Sequence, residues 1–230
     1  HMGLHYTRFM VIKKGKINIA RGRNAAIEAA RHDLIAVSDF GCRPREDWLK
    51  KLVAPFQDDP DLEVAAGWYQ AVDDRGRRVP YEVGPDLDEV SPQTFLPSSR
   101  SVAFTREAWK KAEGYPAWMT LTGEDTYFAL ELKRHAARWA FVPGAVVDWL
   151  GPTTWLELWR KAYRWSIGNG ESGYNAWLYR RTALRLAGLC SALVAGLMLV
   201  GIPADGGSGP GGWPDWILDA AGLAVLLTPL

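Results

Sequence analysis

Over roughly its first 150 residues this chain alternates short apolar runs with stretches of helical spacing, which restricts it to an α/β layer. Leu34-Ile35-Ala36-Val37 is too short for a helix and is bounded by polar residues, so it predicts a buried strand. Val64 to Val72, Val102 to Phe104 and Phe141 to Trp149 predict three more strands. Asn24 to Arg31, Trp48 to Phe56, Arg106 to Lys111 and Tyr127 to Lys133 carry helical spacing between them. Asp73-Asp74-Arg75-Gly76 is a turn signal, and the stretch from there to Pro97 is rich in loop residues.

Two acidic turns lie at the ends of these elements. Ser38-Asp39-Phe40-Gly41-Cys42 follows the first strand, where an acid can hold a metal, a phosphate or a polar substrate. Thr122-Gly123-Glu124-Asp125-Thr126 opens a helix, where free N–H groups and the macrodipole favour negative charge. Each has a plain alternative: Asp-x-Gly is ordinary turn chemistry, and Asp is a preferred helix cap. Together they suggest one cleft with a metal-side acid and a base-side acid.

A formal net charge of +1, with both signs interspersed, argues against a nucleic-acid binder. Cys42 and Cys190, the only two cysteines, form neither a disulfide framework nor a zinc pattern. No Gly-rich phosphate loop is present, which argues against a kinase or dehydrogenase.

The character changes after Pro152. Trp155, Leu158, Trp159, Ala162 and Trp165 fall on neighbouring helical turns with Arg160, Lys161 and Arg164 between them, the pattern of a membrane-surface helix or of a lid over a cleft. Arg180, Arg181 and Arg185 precede the charge-free run Leu186 to Ile202. That run, at the lower limit of length for a span, predicts a transmembrane helix at about 184–202 with its arginine side in the cytoplasm, the alternative being a buried core helix. A Gly/Pro-rich loop from Asp205 to Gly212 and Trp213-Pro214-Asp215-Trp216 then lead to a second apolar run, begun at about 216 and cut at Leu230. The expected organisation is a domain at 1–150, an interfacial or lid segment at 151–182 and a membrane region at 183–230.

Several motifs, in order, resemble those of the family-2 inverting glycosyltransferases of the membrane-associated bacterial type. Arg23-Asn24-Ala25-Ala26-Ile27 is similar to an Arg-Asn-x-x-Ile helix start behind the nucleotide-sugar pocket. Ile35 to Cys42 resembles the strand that ends in a metal-binding Asp-x-Asp turn, with Gly41 replacing the second acid. Ser98-Ser99-Arg100-Ser101-Val102-Ala103-Phe104, followed by Gly114-Tyr115-Pro116, resembles the segment before the catalytic acids. Thr122-Gly123-Glu124-Asp125 resembles the Glu-Asp motif, and Lys161-Ala162-Tyr163-Arg164-Trp165 the Gln-x-x-Arg-Trp motif, with Lys161 in the Gln position.

The resemblance implies a GT-A-like open mixed sheet flanked by helices, followed by an interfacial helix and C-terminal transmembrane helices. It implies transfer of a sugar from a nucleoside-diphosphate sugar to a hydroxyl acceptor with inversion, Asp125 being the general base and Glu124 its companion. Asp39 would hold Mg2+ or Mn2+ on the diphosphate. Arg164, Lys161, Arg23 and Asn24 would serve the donor, and Trp165, Arg100 and Ser99 the substrate. The partners implied are a lipid-linked or saccharide acceptor and the membrane, with the domain facing the cytoplasm of a bacterial inner membrane and serving cell-envelope polysaccharide. The family's opening strand and Pro-x-x-Asn turn do not precede Tyr6, so the first βαβ unit is expected to be missing and the chain truncated at both ends. That absence, with Gly41, leaves an alternative: a non-catalytic, membrane-anchored carbohydrate-binding or assembly subunit.

Overall fold

The computed structural model describes residues 18–79, 87–120 and 122–200, with backbone alone for 197–200. In chain order its elements are α1 (Ile19–Ala29), β1 (Leu34–Val37), β2 (Cys42–Pro44), α2 (Trp48–Val53), α3 (Pro55–Asp58) and β3 (Val64–Val72). They continue with β4 (Val102–Thr105), α4 (Arg106–Lys111), α5 (Glu124–His135), β5 (Trp139–Leu150), α6 (Trp155–Ser172) and α7 (Ala176–Val200). The chain divides into two compact units between Ala176 and Trp177.

The five strands form one mixed sheet in the order β1-β4-β3-β5-β2. β3 and β5 are parallel, while β4 runs antiparallel to both β1 and β3, and β2 antiparallel to β5. β1, β3 and β5 therefore point the same way, with their carboxyl ends on one rim. β1 and β2 are the two edges, so the turn between them, which holds Asp39, must cross that rim. In an open α/β sheet such a rim is where ligands bind.

Both faces of the sheet are covered, which explains apolar runs without polar alternation. Val64, Val102 and Phe104 pack with Ile27 of α1 and with Phe128 and Leu132 of α5. The intervening Ala65 and Ala103 face Trp48 and Leu52 of α2. β3 and β5 shift register between Ala66 and Trp68. The Ser101 hydroxyl fills the space beside Gly67, donating to the Ala145 carbonyl at 2.9 Å and accepting from the Trp48 indole at 2.8 Å.

Among the described residues the strands and helices predicted for the first 150 positions form, with altered limits. α1 begins at Ile19 rather than Asn24 because the Asn18 side chain caps it, accepting from the Arg21 amide at 2.9 Å. The helix predicted over Trp48 to Phe56 divides at Pro55, which opens α3. β2 is an addition, a three-residue strand with no period of its own.

The transmembrane expectation finds no support among the described residues. α7 is a 25-residue helix, yet no helix among the described residues is long and apolar enough to cross a membrane. The end of the expected span at 201–202, the loop at 205–212, the tryptophans at 213 and 216 and the second apolar run lie outside the described residues, as does everything before Asn18.

Candidate active site

Arg23 is the centre of the site. It projects from α1, and its guanidinium bridges two carboxylates, Nη2 to Asp39 in the rim turn and Nη1 to Glu124 at the start of α5. The two acidic turns separated in sequence thus meet on one cation. The same guanidinium lies 5.0 Å from the centre of the Tyr115 ring. Burial opposes charge on Arg23, but Asp39, Tyr115 and Glu124 outweigh it and raise its pKa. Glu124 is 6% exposed; burial first and Asp125 second push its pKa above the ordinary value against the pull of Arg23.

Asn24 and Ser99, assigned above to donor and substrate, are occupied in holding Tyr115. The Asn24 side chain donates to the Tyr115 carbonyl at 2.8 Å and accepts from the Tyr115 amide at 2.8 Å and the Trp109 indole at 3.3 Å. Ser99 is 3% exposed, and its hydroxyl meets the Tyr115 hydroxyl at 2.8 Å. Burial raises the Tyr115 pKa, so the phenol stays neutral. This ring, which the sequence did not single out as a site residue, is the platform for Arg23.

The Thr-Gly-Glu-Asp turn is held from behind by α6. Thr154 and Glu157 cap that helix reciprocally. Thr122 donates its hydroxyl to the Arg164 carbonyl at 2.9 Å, and the Thr120 amide donates to Glu171 at 2.9 Å. Gly123 adopts φ +90 as the N-cap of α5, a conformation natural to glycine. It faces Gly168, where an added Cβ would stand 1.8 Å from the Thr122 carbonyl oxygen. Gly168→Ala is therefore expected to cost about 2–3 kcal/mol, the upper end of overpacking, because backbone rather than a flexible side chain must yield. A denaturation midpoint equal to the parent's would show that α6 does not bear on this turn.

Asp125 is half-buried, with one oxygen accepting from the Thr126 amide at 2.9 Å and no partner for the other among the described residues. It lines a cavity of about 540 Å³ with Trp68, Tyr69, Ser98, Arg100 and Tyr174. A second cavity of about 670 Å³ lies on the Arg23 and Asp39 side, walled by α1 and β1. The structure thus brings Asp39, Arg23, Glu124 and Asp125 together. Arg100 and Lys161 share the Trp149 ring, each 4.3 Å from its centre. Arg164 is exposed and Trp165 half-buried on α6.

The residues do not fit a resident divalent cation. No group of three or more His, Cys, Asp or Glu side chains among the described residues could hold one. One carboxylate can suffice beside substrate phosphates, but Asp39 already carries the Arg23 guanidinium, and an ion there would sit against that charge. Gly41 offers no side chain, and Asp148 is paired with Arg45 at 2.9 Å.

Acidic side chains gathered on the carboxyl rim of a mixed sheet define an α/β protein with a polar ligand cleft. Residues 42–227 match the family model described as glycosyl transferase family group 2, and the chain belongs to that family. Among solved structures it is similar to S. aureus TarS 1–349, at 16% identity and a TM-score of 0.44 over 57% of this chain and 40% of that one. It is also similar to GalNAc-T7, solved with UDP, GalNAc and Mn2+, at 16% identity and a TM-score of 0.45 over 58% of this chain and 30% of that one. The chain spans less than half the length of either. No curated protein matches the sequence.

Proposed function

We propose that this chain carries the acceptor side and the base of an inverting glycosyltransferase, which moves a sugar from a nucleoside-diphosphate donor to a hydroxyl of a saccharide or lipid-linked acceptor. The observation that carries this reading is Asp125: a half-buried carboxylate on the wall of a cavity, with one oxygen anchored and the other unpartnered. An inverting displacement needs a base within hydrogen-bond reach of the attacking hydroxyl. The acceptor oxygen forms its bond to the anomeric carbon, its proton passes to Asp125, and the bond to the diphosphate oxygen breaks. Arg23 holds Glu124 beside this base and ties it to Asp39 at the second cavity, which suits the donor. The charge of the departing diphosphate is met by Arg164 of α6, and Trp165 offers a face to a sugar ring.

The exposed aromatic and apolar face of α6, with Trp155, Leu156, Trp159 and Tyr163, supports seating at a bilayer surface. With the arginines that open α7, it favours the cytoplasmic side of a bacterial inner membrane.

The test is the anomeric configuration of the product made by the full-length protein from a panel of nucleotide sugars. Proton NMR of the new linkage should show the configuration opposite to the donor's. A retained configuration would overturn the single-displacement reading.

A further inference from the structure

Arg100, just before β4, lies between two aromatic rings, its guanidinium carbon 4.6 Å from the centre of Tyr69 and 4.3 Å from that of Trp149. The Lys161 ammonium stands 4.3 Å from the same Trp149 ring. Arg100 donates to the Ser98 hydroxyl at 3.1 Å, while its Nε is buried with no partner. No carboxylate among the described residues forms an ion pair with Arg100, Lys161 or Arg164. Lys161 is held below its ordinary pKa by burial first and Arg100 second; Glu157 pulls the other way, and Arg164 adds the smallest push downward. Cations gathered at one ring and partly stripped of water are costly until an anion joins them.

The cavity lined by Arg100 supplies the route for that anion. The other acidic or basic residues on its lining are Asp125 and Glu89. They would repel an acid group from the rest of the space while accepting hydrogen bonds from hydroxyls. A ligand with one acidic end and a neutral polyhydroxyl body is therefore oriented by the cavity itself.

We propose that Arg100 and Lys161 form a receptor for a phosphate or carboxylate borne by the acceptor, which turns the acceptor's hydroxyl end toward Asp125. The term acceptor rests on the transferase reading; the anion site does not. Binding without turnover separates the two, since a failure of inversion would leave anion binding untouched.

Binding of glucose 1-phosphate, glucuronate and methyl glucoside to the full-length protein is measured by titration calorimetry. Glucose 1-phosphate or glucuronate should bind at least about 10-fold more tightly than the neutral glucoside, and the stronger of the two names the anion. Lys161→Gln and Arg100→Lys should each weaken that binding about 10- to 100-fold, the range for hydrogen bonds to charged groups, whereas Arg160→Gln should leave it unchanged. Lys161→Gln lies on a helix surface and keeps the fold even if changes at Arg100 do not. Equal binding of the neutral glucoside, absence of anion binding, or indifference to both variants would overturn the proposal. Full displacement of the anion by a nucleoside diphosphate would also overturn it, because the receptor would then belong to the donor.

Discussion

Asp125→Asn should lower kcat/KM for transfer by about 10²–10⁴-fold, the usual contribution of a positioned base, while leaving the fold intact. The amide oxygen of Asn can still accept from the Thr126 amide, the one hydrogen bond Asp125 makes, so the start of α5 keeps its shape. What is lost is the capacity to take a proton. Glu124→Gln gives the contrasting case. Glu124 is buried and ion-paired with Arg23, so its change should reach stability as well as turnover, through the network rather than through the transferred proton. Initial rates beside denaturation midpoints separate the two. Asp125→Asn retaining parental turnover would remove the base assignment, and loss of folding would move Asp125 into the structural network.

The sheet was largely legible because each buried strand is a continuous apolar run with a turn at each end. β3 ran over Val64 to Val72 as expected, and α4 over Arg106 to Lys111. β2 was not legible: Cys42-Arg43-Pro44 has no alternation to read and becomes a strand only by pairing with Trp149, Asp148 and Val147 of β5. Limits set by capping were missed for a similar reason, since Asn18 looks like any polar residue until its side chain meets the Arg21 amide. In the site, both acidic turns could be found from sequence because they fall, in order, among other motifs that resemble one family's; either turn alone reads as ordinary turn or cap chemistry. That one arginine joins them could not, since Arg23 was read as part of a helix start and assigned to the donor, not to the two acids. Tyr115 stood out only as part of the Gly114-Tyr115-Pro116 motif, with no role attached to its ring. Its role arises from burial at 1% exposure, where one hydroxyl and one asparagine fix the ring under the guanidinium. Local pattern writes the elements; side chains that work across them appear only in three dimensions.

Arg23→Met should destabilise the protein by about 3–5 kcal/mol, the range for removing one partner of a buried charge pair. The size follows from what is left behind. The side chains of Arg23, Asp39 and Glu124 are 15%, 23% and 8% exposed, so little water can replace the lost guanidinium. Methionine fills much of the volume but leaves Glu124 buried beside Asp125 without a counter-charge. Glu124 can relieve this only by taking a proton. Its folded pKa is already raised by burial and Asp125, and Arg23 is the cation that restrains it. A carboxyl with a folded pKa above its unfolded value of about 4.3 favours folding below that value and loses the advantage as pH rises through the folded one. Without Arg23 the folded pKa climbs further and the window of loss widens upward. The deficit of Arg23→Met against the parent should therefore be smallest near pH 5 and largest near pH 8, as read by urea denaturation at both. Arg23→Lys keeps the charge but cannot present two donors to two carboxylates at once, so it should fall between. A deficit that does not change with pH would mean that the arginine supports the cleft by packing on Tyr115, and that Glu124 finds its compensation elsewhere.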